Sequence, residues 1–309
     1  MNLISSAFLA ARPKTLSASL IPVWAGCLIV QKLTGNWDVT LALYTLASCL
    51  CIQIACNFFN DAIDYKNHAD TDKRTGPTRM TASGALAPRT VMLIGACFLL
   101  VACCFAWPLI ELRGWPIIAI GVPSLYFAYG YTGGPYPLAY NGLGEVFVII
   151  FFGLIAVLGT VLVQVGTEAV IPGTYISSLS VYNAGIILGI QCGLLSAVMI
   201  SVNNIRDRKE DINTGKRTLA VKLGDSKARA LAQAFIVAAY VTLPTSCRAL
   251  NLDLSLTWWM WIPGIILAGT LMLMIRKFPA NEQMNKLLAL SSLHLIVYLT
   301  IYSLIPASR

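Results

Sequence analysis

Nine stretches of this chain, at about 16–35, 40–60, 91–110, 115–132, 143–165, 183–204, 230–247, 256–275 and 287–305, are apolar for close to the length a bilayer demands. A helix needs about 20 such residues to cross a hydrocarbon core of roughly 30 Å. A soluble globule is excluded by composition, because 57% of the 309 residues are hydrophobic and only 12% charged, against about 25% charged in an ordinary soluble domain. With a mean hydropathy of +0.71, disorder, collagen, coiled coil and a disulfide-rich secreted scaffold are excluded as well. The expected fold is all-α, a polytopic bundle of nine transmembrane helices forming one integral-membrane domain over 1–309. Pro116 and Pro123 fall in the fourth stretch, and membrane helices tolerate them where packed neighbours supply the lost hydrogen bonds.

The net charge of +8 and pI near 9.1 could suggest nucleic acid, but that needs bases gathered on a soluble surface, which this chain lacks. Its nine cysteines lie almost wholly in apolar stretches, where a free thiol behaves as a small hydrophobe. None has C-x-x-C spacing, so metal or redox roles are not expected of them. Arg12 and Lys14 follow the first short apolar run and do not precede it, so no cleaved signal peptide is expected.

Charge is concentrated in two connections. Residues 61–90 hold five Lys/Arg and four Asp, and residues 205–229 hold eight Lys/Arg and four Asp/Glu, so 21 of the 36 charged residues occupy about one sixth of the chain. With nine spans, the connections after the second and sixth emerge on the same membrane face. Their basic surplus places that face in the cytoplasm of a cell (inner) membrane protein, although the loops could equally be basic in order to bind a ligand. Lys and Arg elsewhere number five on that face and four on the other, which decides nothing.

Both connections begin with N-x-x-x-D. Asn57 and Asp61, Asn203 and Asp207, and Asp207 and Asp211 are each four residues apart, and Asp64 follows Asp61 by three. On a continuing helix each set stacks along one face. Like charges at that spacing destabilise a helix, and acids within the membrane cost about 2.5 kcal/mol or more each, so the cluster calls for a counter-ion. Oxygen ligands of this kind suit Mg²⁺, which takes one or two carboxylates and completes its shell with water and phosphate oxygens. The neighbouring Lys and Arg match phosphate geometry, so together they describe a diphosphate site. A single charged loop could be a solvated face; two matched helix ends 146 residues apart argue otherwise.

The segment running through Asn60, Asp61, Asp64, Asp70, Arg74, Gly76-Pro77 and Arg79, and the run NNIRDRKEDINTGKRTLAVKLG at 203–224, resemble the paired aspartate-rich motifs of the UbiA superfamily of intramembrane prenyltransferases. Arg12-Pro13-Lys14-Thr15-Leu16, Tyr131-Thr132-Gly-Gly-Pro135 and the stretch from Gly142 through Glu145 to Gly153 are similar to the branch that prenylates 1,4-dihydroxy-2-naphthoate. In the hydroxybenzoate branch an Asp usually stands where this chain has His68; here the next acid is Asp70, as in the naphthoate branch.

The resemblance implies Mg²⁺ held by Asn57, Asp61, Asp64, Asn203, Asp207 and Asp211, with Asp61, Asp64, Asp207 and Asp211 as catalytic carboxylates. Lys73, Arg74, Arg79, Lys216 and Arg217 would contact the diphosphate of a polyprenyl diphosphate. The implied reaction is electrophilic prenylation of 1,4-dihydroxy-2-naphthoate with release of CO₂ and diphosphate, giving demethylmenaquinol in menaquinone biosynthesis. Another aromatic acceptor such as 4-hydroxybenzoate is the nearest rival. An ion or phosphate transporter is a rival of another class, but transport predicts polar groups along a route through the bilayer, and here they gather at one face.

Other residues carry two readings each. Arg12 and Lys14 could draw the naphthoate carboxylate, or anchor the first span. Tyr131 and Thr132 could hydrogen-bond diphosphate, or sit in the interfacial belt. Glu145, an acid inside a span, is a functional hypothesis or the partner of a structural base. His68 is a proton carrier or a polar loop residue, and His294 is expected to hydrogen-bond a neighbouring helix.

Overall fold

The computed structural model describes residues 3–69, 79–171 and 176–307. The described residues form helices α1 (Leu3–Ala10), α2 (Ser17–Thr34), α3 (Val39–Lys66), α4 (Pro88–Arg113), α5 (Trp115–Gly130), α6 (Gly144–Val148) and α7 (Ala156–Val165) in the first half. The second half contributes α8 (Ser178–Asn213), α9 (Leu219–Leu223), α10 (Asp225–Val241), α11 (Leu243–Ala249), α12 (Leu254–Thr257), α13 (Ile262–Lys277) and α14 (Asn285–Leu304). Among the described residues, eight helices or helix runs are long and apolar enough to cross a membrane, and α5 is a ninth, shorter apolar helix. The chain is therefore a polytopic all-α membrane protein, as the length of its apolar stretches predicts.

Two helices outrun the bilayer. α3 has 28 residues and α8 has 36, or about 42 and 54 Å at 1.5 Å per residue. Their polar C-terminal turns therefore extend past the hydrocarbon without breaking the helix, which keeps Asn57, Asp61 and Asp64, and Asn203, Asp207 and Asp211, on continuous rods. Pro123 lies inside α5 without interrupting it, while Gly114, at φ 72°, turns α4 into α5 in one residue.

The main core surrounds α8, whose Leu188, Cys192, Leu195 and Val202 belong to one buried cluster with α2, α10 and α14. Polar groups stitch this half together, as expected where lipid supplies no hydrophobic drive between helices. Gln191 of α8 donates to Thr242 and Ser246 at 3.0 and 2.9 Å and accepts from Tyr302 at 3.1 Å. His294 meets the Tyr240 hydroxyl of α10 at 2.9 Å, the inter-helix bond expected of it.

Between α6 and α7 the helix widens to a π turn over Ile149–Ile155, packed on α8 through glycines. A Cβ on Gly153 would lie 2.5 Å from the Gly189 carbonyl oxygen, and one on Gly193 would lie 2.7 Å from the Ile149 oxygen. This close approach leaves an apolar cavity of about 160 Å³ on the other side of the π turn, among α2, α3, α4, α5 and α7.

Candidate active site

The acidic end of α3 is buried, with Asp61 2% and Asp64 3% exposed. Asp61 accepts from the Met80 and Thr81 backbone N–H groups at 2.9 and 3.1 Å and from the Thr81 hydroxyl, whose single proton is shared with the Asp61 carbonyl at 2.9 Å. It thus pins the segment leading into α4 over the helix end. Asp64 is ion-paired with Arg79 at 2.7 Å and with Lys216 at 3.0 Å, and it accepts from the Tyr140 hydroxyl at 2.9 Å.

Lys216 comes from the connection after α8 and also lies over the Tyr140 ring, 4.9 Å from its centroid. One ammonium therefore joins the two charged connections across the site. The α5–α6 connection completes the junction: Arg217 donates its backbone N–H to the Tyr140 carbonyl at 3.0 Å, and Lys222 donates to the Asn141 carbonyl at 2.6 Å. Thr132 hydrogen-bonds Asn60.

On α8, Arg206 holds both oxygens of Asp207 at 2.7 Å and reaches Asn285 at the start of α14 at 2.5 Å. Asp211 accepts from Thr218 at 3.2 Å and lies within electrostatic range of Lys216, Asp207 and Asp64. Asn203 is half-buried. Asn57 donates to the Ala11 carbonyl at 2.8 Å and to the Thr15 hydroxyl at 3.3 Å, so its amide nitrogen ties the α1–α2 connection to the acidic helix.

That tether delivers Arg12, held at φ 54°, to within electrostatic range of Tyr131. Tyr131 packs its ring on Phe147 at 5.3 Å. Burial, then the nearby Glu145 and Asp64 charges, push its phenol up, so it remains a proton donor.

Of the diphosphate-binding residues named from sequence, the structure brings Arg79 and Lys216 together on Asp64, places Tyr131 beside Phe147, and leaves the Arg217 side chain exposed. Lys73 and Arg74, with Asp70, fall outside the described residues, as does the Lys14 side chain. Glu145 is paired with Asn204 at 2.9 Å, so the expected alternative of a basic partner is replaced by an amide. Tyr140, Thr81, Thr218 and Arg206 were missed by sequence reasoning. Tyr140 had a signal, an aromatic residue in a short connection on the charged face; the two threonines had none.

Below this polar end, the cavity is lined on α3 by Thr45, Ser48, Cys49, Ile52, Gln53 and Cys56, one helix face with its last member next to Asn57. The eleven steps from Thr45 to Cys56 along α3 give it a reach of about 16 Å into the bundle. Phe127, Phe147 and Phe151 wall its upper part.

A polar, cation-balanced mouth over an apolar shaft fits an amphiphile with an anionic head. The profile of the UbiA prenyltransferase family matches residues 19–293. The chain belongs to the UbiA prenyltransferase family. The 1,4-dihydroxy-2-naphthoate octaprenyltransferase of Mycobacterium leprae is 36% identical over 230 residues, covering 74% of this chain and 72% of that protein. The Escherichia coli K12 protein of the same name is 31% identical over 283 residues, covering 88% and 83%. Among solved structures, a UbiA homolog from Aeropyrum pernix K1 superposes with a TM-score of 0.70 at 17% identity, covering 94% of this chain and 98% of that one. A UbiA homolog from Archaeoglobus fulgidus bound to GPP and Mg²⁺ superposes at 0.63 and 15% identity, covering 97% and 100%. These two UbiA homologs show the fold.

Proposed function

We propose that this UbiA-family protein transfers a polyprenyl chain from polyprenyl diphosphate to 1,4-dihydroxy-2-naphthoate, releasing CO₂ and diphosphate and giving demethylmenaquinol. The observation that carries the reading is the Lys216 bridge to Asp64, which joins the two acidic helix ends above an apolar shaft. The acceptor follows from the relatives, several of which are 1,4-dihydroxy-2-naphthoate octaprenyltransferases.

Mg²⁺ suits the donor set in kind, since Asn57, Asp61, Asp64, Asn203, Asp207 and Asp211 offer only hard oxygens. Among the described residues, no three acids, histidines or cysteines gather to hold an ion by themselves. Mg²⁺ usually takes only one or two carboxylates and fills its shell with water and phosphate, which fits an ion that arrives with the diphosphate. Bound there, it would supply charge neutralisation for the leaving group.

The chain's own residues account for the rest. Arg79, Lys216 and Arg217, with Lys73 and Arg74, donate to the diphosphate oxygens, and Tyr131 adds a phenolic donor. Asp61 and Thr81 hold the covering segment in place. The shaft accepts the isoprenoid tail and keeps the allylic cation from water. Arg12, carried in by the Asn57 tether, offers a counter-charge to the acceptor carboxylate. The electron-rich ring attacks the allylic carbon, the carboxylate leaves as CO₂, and the ring recovers its aromaticity.

We read 1–309 as one integral-membrane domain, with 61–90 and 205–229 on the cytoplasmic face of the cell inner membrane; their basic surplus supports that orientation. Membranes containing the protein, incubated with a labelled polyprenyl diphosphate and either 1,4-dihydroxy-2-naphthoate or 4-hydroxybenzoate, test the activity. Labelled product is expected from the naphthoate; product from hydroxybenzoate alone would overturn the assignment.

A further inference from the structure

Gln53 sits in the middle of α3, on the face that lines the cavity. Its amide has no hydrogen-bond partner among the described residues, and its Oε1 is shut off from solvent. The serines and threonines of the same lining are satisfied from within. Ser48 donates to the Ala102 carbonyl at 3.1 Å, Thr45, Ser124 and Thr160 each donate to the carbonyl one turn back at 2.8 Å, and Ser19 reaches the Cys49 carbonyl at 3.5 Å. In this apolar shaft the fold leaves the needs of the Gln53 amide unmet.

An amide that bonds nothing in the protein costs free energy that a leucine of similar size would not. Its level in the shaft says what would meet it. Cys56, three residues on, lies within electrostatic range of Arg12 and Tyr131, and Tyr131 packs on Phe147. Because α3 ends at the acidic mouth and α6 begins there, Gln53 lies about one turn below Cys56, and Phe151 about one turn below Phe147. Phe147 and Phe151 stack at 4.4 Å and 22°, and with Gln53 they line one cavity. Their wall suits a flat ring. With its carboxylate at the level of Arg12, such a ring carries a substituent on its far side about one helix turn deeper, at the level of Gln53.

We propose that the Gln53 amide recognises the 4-hydroxyl of the aromatic acceptor, while the ring rests on Phe147 and Phe151 and the carboxylate is held toward Arg12. The 1-hydroxyl, ortho to the carboxylate, is engaged by it within the molecule, whereas the 4-hydroxyl needs an outside partner. An amide carries both a donor and an acceptor, as a phenol does, and its last torsion is loosely held, so either end can turn to the hydroxyl. This rests on the aromatic prenyl-transfer reading and adds to it a specificity residue for the hydroquinol pattern of the ring.

The test uses full-length protein in lipid nanodiscs, with the KM of acceptor and of polyprenyl diphosphate measured separately. Gln53→Leu keeps the size of the side chain and removes its hydrogen bonding. It is expected to raise the acceptor KM about fivefold, the scale of one neutral hydrogen bond, and to leave the donor KM within about twofold. Since no bond within the protein is lost, its melting temperature should equal or exceed that of the parent. 1-Hydroxy-2-naphthoate, which lacks the 4-hydroxyl, serves as a competitor: its Ki on the wild-type protein should exceed the acceptor KM, and Gln53→Leu should leave that Ki unchanged. An unchanged acceptor KM, equal rises in both KM values, a lowered melting temperature, a Ki that rises in step with the acceptor KM, or a wild-type Ki no larger than that KM would overturn the proposal, the last without any variant needing to fold. A wild-type protein that prenylates no naphthoate at all would instead refute the activity on which the proposal stands.

Discussion

The glycine contact between the π turn and α8 permits a paired substitution with opposite signs. In Gly153→Ala the new Cβ would lie 2.5 Å from the Gly189 oxygen, 2.7 Å from the Gly193 Cα and 3.0 Å from the Gly193 nitrogen. All three are backbone atoms of one helix, so relief requires α8 and the π turn to separate by most of an ångström. Overpacking of this kind costs about 1–3 kcal/mol, against a helix-propensity gain of at most about 1 kcal/mol. In Gly159→Ala, on α7, the nearest atom to the new Cβ is the Ile120 side-chain Cδ1 at 3.8 Å, an ordinary contact, and the propensity gain stands alone. Thermal unfolding of the purified protein should therefore show Gly153→Ala lowered by about 2–6 °C, at a few degrees per kcal/mol for a chain of this size. Gly159→Ala should be unchanged or raised. Gly153→Ala should also lose prenyl transfer, because Phe147 and Phe151 sit on the displaced segment. Two variants that move in the same direction, or a Gly153→Ala protein as stable as the parent, would refute the reasoning from close approach.

Two further outcomes follow from the polar end. Lys216→Met removes the ammonium between the connections while Asp64 keeps Arg79 and Tyr140, so the KM for polyprenyl diphosphate should rise about tenfold, the scale of a lost charge-assisted bond, with acceptor KM little changed; steady-state kinetics with each substrate varied in turn checks this. Chelation of divalent ions should abolish prenyl transfer and added Mg²⁺ should restore it, as followed by labelled product.

Much of the fold is legible from apolar length, since lipid leaves few alternatives to a spanning helix. The acidic sets were legible for the same local reason: four-residue spacing requires only that α3 and α8 continue, and both do. What each acid does could not be read. Asp61 is committed to Met80 and Thr81, 19 and 20 residues away, and Asp64 to Lys216, partners fixed by tertiary packing and not by spacing. The π turn is hidden for a similar reason, because it packs on α8 through a tertiary glycine contact and an apolar run reads alike in either helix. Trp261, by contrast with the exposed Trp107, Trp115, Trp258 and Trp259, is buried in the bundle, a difference that composition at the membrane interface does not encode.

Among the described residues, three cations at the site are already paired: Arg79 and Lys216 with Asp64, and Arg206 with Asp207. A bare anion that captured those cations would strand their carboxylates, and a bare divalent ion that captured the carboxylates would strand the cations. Only a ligand bringing both signs of charge can exchange partners without leaving a buried charge uncompensated. Under the proposed reaction, metal and diphosphate would be thermodynamically coupled, each strengthening the other's binding, and inorganic phosphate or a lone cation would have little hold on the chamber.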